Sequence, residues 1–518
     1  MTTTLPLNGP VFAERIGDAV QPWAKSSPHR IALRDASGSW TYRQLADAIS
    51  AAQHWLARRG VRPGDRVMIV GENCREFVAI LLATAALDAW PVLVNARLSA
   101  REVDLIRDHC GARRVLFTTR VSPHGSEHAK RHGATLEEID DLGSVAIGPI
   151  DEGVAPEHLS FDISQRVAAL IYTSGTTGAP KGVMLTHRNL LFMAAGAASI
   201  RSLTPDDRLY GLLPMTHAVG LSVVLLGSLL SGASVYLTPR FDPMTASATL
   251  KKEGLTVILG APATFNQFLQ YAKLRGVDAL NFPALRIISC SGAPLDAATK
   301  SATEKLFGLH LHHGYGITEC SPTIAQTRIE SPRTDLSIGP PFPGVEIKLV
   351  GPDGKPAPPG EPGELWVRGP NVMKGYYRAP EETAAAIDAE GWYNTRDLAR
   401  VEDGNLFIVG RTRDLIVHRG FNVYPAEVEG VMKAHPAVVH CAVIGRSMDG
   451  DEQVIAFVQL LPNSPVSATD LAEYASRHLA AYKRPAEIIL LAEMPLTPTG
   501  KILKAELIKK IDLTLPCR

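Results

Sequence analysis

The chain has 518 residues, enough for more than one hydrophobic core, and its 45% hydrophobic and 20% charged residues are the balance of an ordinary globular enzyme. Lys plus Arg and Asp plus Glu both number 53, so no global field draws the molecule to nucleic acid or to an anionic membrane. Six scattered cysteines, with no CxxC pair and no metal-ligand spacing, argue against a disulfide framework or zinc site and fit reduced thiols in a cytoplasmic protein.

The opening MTTTLPLNGPVFAERIG has no basic region followed by an apolar core, so it does not read as a secretory signal. From Trp40 the text TYRQLADAISAAQHWLARRGV predicts a short strand, an amphipathic helix and a turn. DRVMIVGEN follows as a buried strand with a polar exit, and EFVAILLATAALDAWPVLVN as a helix and a further strand. Strand and helix keep alternating through ARRVLF (112–117) and GASVYL (232–237) to about Ile288, which predicts α/β layers with largely parallel strands. The most apolar stretch, 218–230, contains two glycines and is too short to span a bilayer, so it reads as a buried helix. From about Gly339, glycine and proline crowd short alternating strands, as in a small β-rich subdomain. Beyond Arg411 the text turns helix–strand–helix again, in AEVEGVMKAH, AVVHCAVIG and LAEYASRHLAAY, and ends in a lysine-bearing loop. The fold class is therefore α/β. A large N-terminal domain (1–410), of layered α/β subdomains plus the β-rich one, is joined through 411–414 to a small α+β C-terminal domain (415–518).

The run YTSGTTGAPKGV, 172–183, carries the most chemistry. The apolar VAALIY before it delivers the loop as a buried strand. Gly175 and Gly178 let backbone N–H groups approach an anion, Thr173, Ser174, Thr176 and Thr177 add hydroxyl donors, and Lys181 supplies a point charge. A polyphosphate is the natural guest. The spacing is not that of a P-loop, because Gly182 rather than Ser or Thr follows the lysine. In HHGYGITE, 312–319, Tyr315 offers a flat face to a purine, Thr318 a hydroxyl and Glu319 a hard oxygen suited to Mg²⁺. By itself that string describes a structural turn equally well. Asp397 in a loop and Lys501 near the C-terminus read, each alone, as solvated charges.

Taken together and in order, from about Ser39 to about Lys504, these strings resemble the adenylate-forming superfamily. That group comprises acyl-CoA synthetases, firefly-luciferase-like enzymes and stand-alone adenylation domains, and the chain is most like bacterial acyl- or aryl-CoA ligases. The resemblance implies two half-reactions with ATP, Mg²⁺ and coenzyme A as co-substrates. A carboxylate attacks the α-phosphate to give acyl-AMP and pyrophosphate, and the thiol of CoA then displaces AMP. It further implies that Tyr315 and Gly316 meet adenine together with Ser291, Gly292 and Ala293, that Thr318 touches the α-phosphate, and that Thr173 and Glu319 hold the metal. Asp397 matches the ribose-binding aspartate, although Arg396 stands where relatives usually have glycine. Arg411 matches an arginine that contacts the nucleotide, and Arg413 falls at the hinge of a mobile C-terminal domain. Lys501, in PLTPTGKILK, matches the adenylation lysine, whose charge offsets that built on the phosphate. Gly420 would line the pantetheine tunnel, where a Cβ would narrow the slot.

For the acyl site the resemblance places His217 as the gate residue. Walls are expected from Ala218, Val219, Gly260 to Thr264 (260–264), Gly314 and 320–322, which are small or apolar. No aspartate lies within 215–222 to pair an amino acid's ammonium, and no arginine lies within the wall segments to hold a dicarboxylate. A medium-sized aliphatic or aromatic monocarboxylate follows as the expected acid. The alternatives are an acyl-AMP ligase that loads a carrier-protein phosphopantetheine, and a dicarboxylate-CoA ligase of the malonate or oxalate type. The partners are then a small carboxylic acid and CoA, with no nucleic acid and no membrane span, and the oligomeric state stays open between monomer and homodimer.

Overall fold

Continuous apolar runs such as VMIV and VILG have no polar face to turn to water, so they can only be inner strands covered on both sides. In the computed structural model, which describes residues 13–174, 180–418, 421–448, 451–496 and 502–514, such runs form the middle of two eight-stranded sheets. The first sheet runs in the order Thr323–Gln326, Leu311–Gly316, Ile287–Cys290, Val257–Gly260, Arg208–Gly211, Ser234–Leu237, Ile31–Asp35 and Gly38–Thr41. Its six inner strands are parallel and its two edge strands antiparallel. The second sheet centres on Val167–Ser174, Trp90–Asn95, Arg66–Gly71 and Arg114–Phe117, all parallel. The hairpin partner Pro180–Thr186 closes one side of it, with Gly375–Tyr376 beyond.

Between the sheets lies a layer of helices. Arg75–Ala86 is apolar on nearly every face, with Leu81, Leu82 and Ala83 fully enclosed, as expected of a helix that meets packing partners all round. It contacts strands of both sheets, so the two share one core. The amphipathic helix expected after Trp40 is Tyr42–Arg58, started by a capping box in which the Thr41 hydroxyl accepts from the Gln44 N–H and the Gln44 side chain accepts from the Thr41 N–H. The apolar stretch at 218–230 is helical and buried, but it opens as a π-helical segment, Val219–Leu226, before the α-helical turn Gly227–Ser231.

The β-rich region is a four-stranded antiparallel sheet, Glu346–Val350, Gly363–Arg368, Tyr393–Glu402 and Asn405–Arg411. A short 3₁₀ turn, Thr412–Asp414, follows its last strand. The small C-terminal domain then pairs Ile416–His418 with Phe421–Val423 and builds a three-stranded sheet of Val438–Met448, Asp451–Leu460 and Glu487–Leu491 with the helices Pro425–Lys433, Ala468–His478 and Lys504–Thr514. It has its own core around Val428, Val443, Ala456 and Leu471. Among the described residues no helix is long and apolar enough to cross a membrane.

The helix between the sheets makes a direct test of the shared core. Truncating Leu82, which is 0% exposed, to alanine should destabilise the N-terminal domain by about 2–5 kcal/mol. The measurement is the midpoint of its chemical denaturation, which should fall.

Candidate functional site

In an open parallel sheet, ligands gather beyond the carboxyl ends of the strands. Here those ends are Gly211, Gly260, Cys290 and Gly316 of the first sheet, and the loops that leave them carry 212–217, 261–264, 291–293 and 317–319. The second sheet contributes the hairpin Val167–Ser174 and Pro180–Thr186, in which Thr173 pairs with Lys181. Of the expected phosphate loop, the strand backbone up to Ser174 and Lys181 are thus placed, whereas Gly175, Thr176, Thr177 and Gly178 lie outside the described residues.

Two polar clusters form where these elements meet the antiparallel sheet. In the first, the Tyr315 hydroxyl donates to Asp397 Oδ2, and Arg411 Nε lies 2.9 Å from Asp397 Oδ1. Burial, and next the Asp397 charge, push the Tyr315 phenol well above its usual pKa, so it stays protonated and donates. Asp397 is buried, its backbone N–H bonded to Thr395 Oγ1 at 3.1 Å. In the second cluster, the Tyr376 hydroxyl donates to Glu319 Oε1 at 2.9 Å and stands 3.4 Å from the Tyr393 hydroxyl. Lys181 Nζ sits 5.3 Å from the centre of the Tyr376 ring and 3.7 Å from Glu382 Oε2. Burial raises the Glu319 pKa, with the Tyr376 hydroxyl and the distant Arg411 charge opposing. Thr318 opens the 3₁₀ turn that presents Glu319.

Among the described residues no three His, Cys, Asp or Glu side chains converge on a metal position. A lone carboxylate such as Glu319 nevertheless suits Mg²⁺ that arrives on a polyphosphate, because this ion keeps waters and phosphate oxygens and needs only one or two protein carboxylates. Gly316 has a steric reason to be glycine: a Cβ there would stand 2.2 Å from the Pro322 carbonyl oxygen. Gly292 adopts φ +86° at the turn between Ser291 and Ala293, and the Ser291 N–H donates to the Gly260 oxygen at 3.1 Å, which ties two strand ends together.

His217 follows the strand Arg208–Gly211 across a loop held by Asn73 from the other sheet. Asn73 Nδ2 donates to the oxygens of Gly211 (3.0 Å) and Leu213 (2.9 Å), and its Oδ1 accepts from the Met215 N–H (2.8 Å). The imidazole reaches solvent yet is flanked by protein, and the loss of hydration, with repulsion from Arg97, holds its pKa below the usual value. Gly220 lets the π-helical segment start against this loop, since a Cβ would lie 2.1 Å from the Pro214 oxygen.

A narrow cavity, whose lining begins two residues beyond His217 at Val219, runs between Val219, Val223, Leu259 and Gly314 and the residues Ser291, Gly292, Tyr315 and Gly316. Of the expected walls, Val219, Gly314 and Pro322 line it, whereas Ala218, 260–264, Cys320 and Ser321 do not, and the lining is not wholly apolar. Arg201, which lies outside the wall segments read from the sequence, also lines the cavity. It is 3% exposed, and burial alone draws its pKa down to about 10. The wall segments read from the sequence hold no arginine, but this cavity has one among its walls from outside them. No local signal marked Arg201, which in sequence is one more basic residue at the end of a helix. Tyr376, Tyr393 and Asn73 were missed for the same reason, as each gains its partner from a distant segment.

The roomier groove, lined by Arg30, Arg34, Asp206, Arg208 and Glu253, opens at the amino ends of the same parallel strands, remote from these clusters. Gly420 and Lys501 lie outside the described residues, and only the backbone of Arg413 is described.

Arg396, at the position expected to be glycine, has φ +57°, with its N–H donating to Asn394 Oδ1 at 2.7 Å. The backbone there is left-handed and an arginine bears its cost, about 1–2 kcal/mol for an L-residue. Arg396→Gly should stabilise the fold by up to about 1 kcal/mol, part of the gain being offset in the unfolded chain. Arg396→Val should melt earlier than either protein, because a β-branched side chain tolerates positive φ least. Thermal melts of the three proteins check the order.

Comparison with known proteins agrees with this geometry. Residues 20–377 match the model of the AMP-binding enzyme family, and residues 427–501 match that of the AMP-binding enzyme C-terminal domain. A feruloyl-CoA synthase from Amycolatopsis is 35% identical over 93% of this chain and 96% of its own length. A 2-succinylbenzoate–CoA ligase from Geobacillus kaustophilus is 33% identical over 94% and 96%. Among solved structures, ATP-bound MatB from Rhodopseudomonas palustris superposes with a TM-score of 0.84 at 28% identity, covering 96% of this chain and 99% of that one. The chain belongs to the family of AMP-binding enzymes and is an AMP-forming acid–thiol ligase, which uses ATP with Mg²⁺ to activate a carboxylic acid as acyl-AMP and passes the acyl group to CoA.

Proposed function

We propose that the acid is an aryl carboxylate, held in the cavity lined by Val219, Leu259 and Gly314, and that free CoA is the acceptor. The observation that carries the nucleotide half is the buried Asp397 carboxylate, fixed between Arg411 and the hydroxyl of Tyr315, a residue just before the turn that presents Glu319. A carboxylate has about four acceptor sites, so two bonds leave room for both ribose hydroxyls. Tyr315 then presents its ring to adenine, beside Gly316 and 291–293. Thr318 meets the α-phosphate, Glu319 and Thr173 hold Mg²⁺, and Lys181 with the hydroxyls and glycines of 173–178 receives the remaining phosphates. Phosphoryl chemistry of this kind needs alignment and charge neutralisation more than covalent help.

For the acid, support comes from Val219, Leu259 and Gly314, which offer flat apolar room, and from relatives named for feruloyl, 4-coumarate and 2-succinylbenzoate CoA ligation. His217, whose pKa is held below the usual value by lost hydration and by Arg97, gates the cavity. The C-terminal domain rotates about 411–414 between the half-reactions, bringing Lys501 to the phosphate for the first and Gly420 to the pantetheine arm for the second. The protein acts in the cytoplasm, as a monomer or homodimer, without nucleic acid. The unpaired buried thiols Cys74, Cys110, Cys290, Cys320 and Cys441 and the even charge balance support that setting.

Two variants test the division of labour. Lys501→Ala should slow acyl-AMP formation at least a hundredfold, about 3 kcal/mol of transition-state stabilisation, while sparing thioester formation from supplied acyl-AMP. Normal pyrophosphate release by this variant would remove Lys501 from the first half-reaction. Gly420→Leu should do the reverse, with acyl-AMP made at the normal rate and transferred poorly to CoA. Unimpaired transfer would take Gly420 out of the tunnel, and loading of a carrier protein in preference to free CoA would replace the acceptor.

A further inference from the structure

Arg201 closes the helix His187–Ile200 and is one of the residues that line the cavity, beside its anchor Gln326. A guanidinium has five N–H donors. Two are used: Nη1 donates to the Ala197 carbonyl at 3.1 Å, and Nη2 to Gln326 Oε1 at 2.8 Å. Three of the five remain, and one of them, Nε–H, is fully enclosed with no acceptor among the described residues. No described carboxylate lies within ion-pairing distance of this 97%-enclosed charge; its relative exposure is 3%. The nearest charged neighbours do not compensate it. Arg286, which donates to the Arg201 carbonyl, is itself satisfied by Asp207 at 2.8 Å. His312 is held neutral, its pKa lowered to about 4 by burial first and by Arg201 second.

A cation at a helix C-terminus has a routine structural use, since it faces the negative end of the dipole. That use accounts for the bond to Ala197 and leaves the rest of the fork idle. Buried charges are paired, and a protein that buries a guanidinium without a carboxylate leaves the partner to come from elsewhere. Gln326 fixes the plane of the fork without neutralising it, and Gly314, whose Cβ would fall 3.4 Å from Gln326 Cγ, keeps the space beside that anchor open. A planar fork with free donors is the geometry that takes oxygen acceptors in pairs.

We propose that Arg201 determines acyl specificity by selecting acids that carry an oxygen acceptor, an anionic one best of all, at the end remote from the reacting carboxylate. This deepens the aryl-acid reading and rests on it. The acid would enter past His217 with its apolar body between Val219, Leu259 and Gly314, and its distal oxygen would supply the counter-charge the fold omits. An acid with no such group would leave the guanidinium buried and unpaired.

The test is kcat/KM for pyrophosphate release with 3-phenylpropanoate and with the same acid bearing a para-hydroxyl or a para-carboxylate. The unmodified enzyme should prefer the substituted acids by at least about tenfold, since a buried donor left unpaired is a strong discriminator. Arg201→Met should lose that preference and handle unsubstituted 3-phenylpropanoate at least as well as before. Equal use of all three acids by the unmodified enzyme, or an undiminished preference in Arg201→Met, overturns the proposal. If Arg201→Met does not fold, Arg201→Lys decides. It keeps the charge without the fork, and should show a reduced preference; an unchanged one counts against the guanidinium. If no aryl acid is turned over, the aryl reading fails separately, and octanoate against octanedioate puts the same question to Arg201.

Discussion

The Asp397 carboxylate, held on one side by the Tyr315 hydroxyl and on the other by Arg411, is the interaction on which the rest of the site depends. Tyr315 belongs to the carboxyl end of a strand in the first sheet, Asp397 to the antiparallel sheet, and Arg411 to the last residue of the strand that leads into the C-terminal domain. Asp397 and Arg411 face each other on adjacent strands of that sheet, so one buried anion ties the first sheet to the antiparallel sheet at the strand that leads into the C-terminal domain. Its two partners differ in kind: the phenol, kept protonated by burial, is a fixed neutral donor, whereas the guanidinium carries charge and is more open to solvent, with 37% side-chain exposure. An exchange of the second partner costs less than an exchange of the first.

The neighbouring cluster around Tyr376 works on the same principle with the charges arranged differently. Tyr376 is placed by the pairing of Gly375–Tyr376 with the far side of the hairpin that carries Lys181, and its hydroxyl reaches Glu319 from the first sheet. Anion and cation therefore meet opposite ends of one aromatic side chain, edge hydroxyl to Glu319 and ring face to Lys181. The arrangement holds a carboxylate and an ammonium on one aromatic side chain without a direct ion pair between them, and Lys181 meets Glu382 instead. The acyl end lacks such balance. Arg201 has its orientation from Gln326 and its charge from no neighbour, so the electrostatics of the cavity are completed only by what enters it.

Much of the fold was legible because its elements are locally consistent. Thr41 and Gln44 announce the start of the helix Tyr42–Arg58, RVMIVG reads as a doubly covered strand, and the glycines and prolines beyond Gly339 mark the short antiparallel strands. The π-helical opening of the segment after Ala218 was not legible, because apolar content says nothing about whether each turn gains a residue. Arg396 shows the reverse case. Its residue type argues against a left-handed backbone, yet φ is +57°, because the bond from its own N–H to Asn394 and the two strands on either side over-determine the turn.

The sequence by itself determined the chemistry that short strings can encode: a hydroxyl- and glycine-rich loop ending in Lys181, a Tyr-Gly-Ile-Thr-Glu run, an aspartate at 397 and a lysine at 501. Those strings carry their own geometry, since the spacing of a few residues fixes which backbone groups and side chains share a turn. Only the tertiary structure decided which side chains from distant segments complete them. Asn73 reaches Met215 across 142 residues, Tyr376 reaches Glu319 across 57, and Arg201 meets Gln326 across 125. None of these pairs has a local signature, because a polar side chain acquires its meaning from what the sheets bring beside it and from how completely they exclude water. The class of reaction was therefore written in the chain, while the charge among the walls of the acyl cavity was written only in the packing.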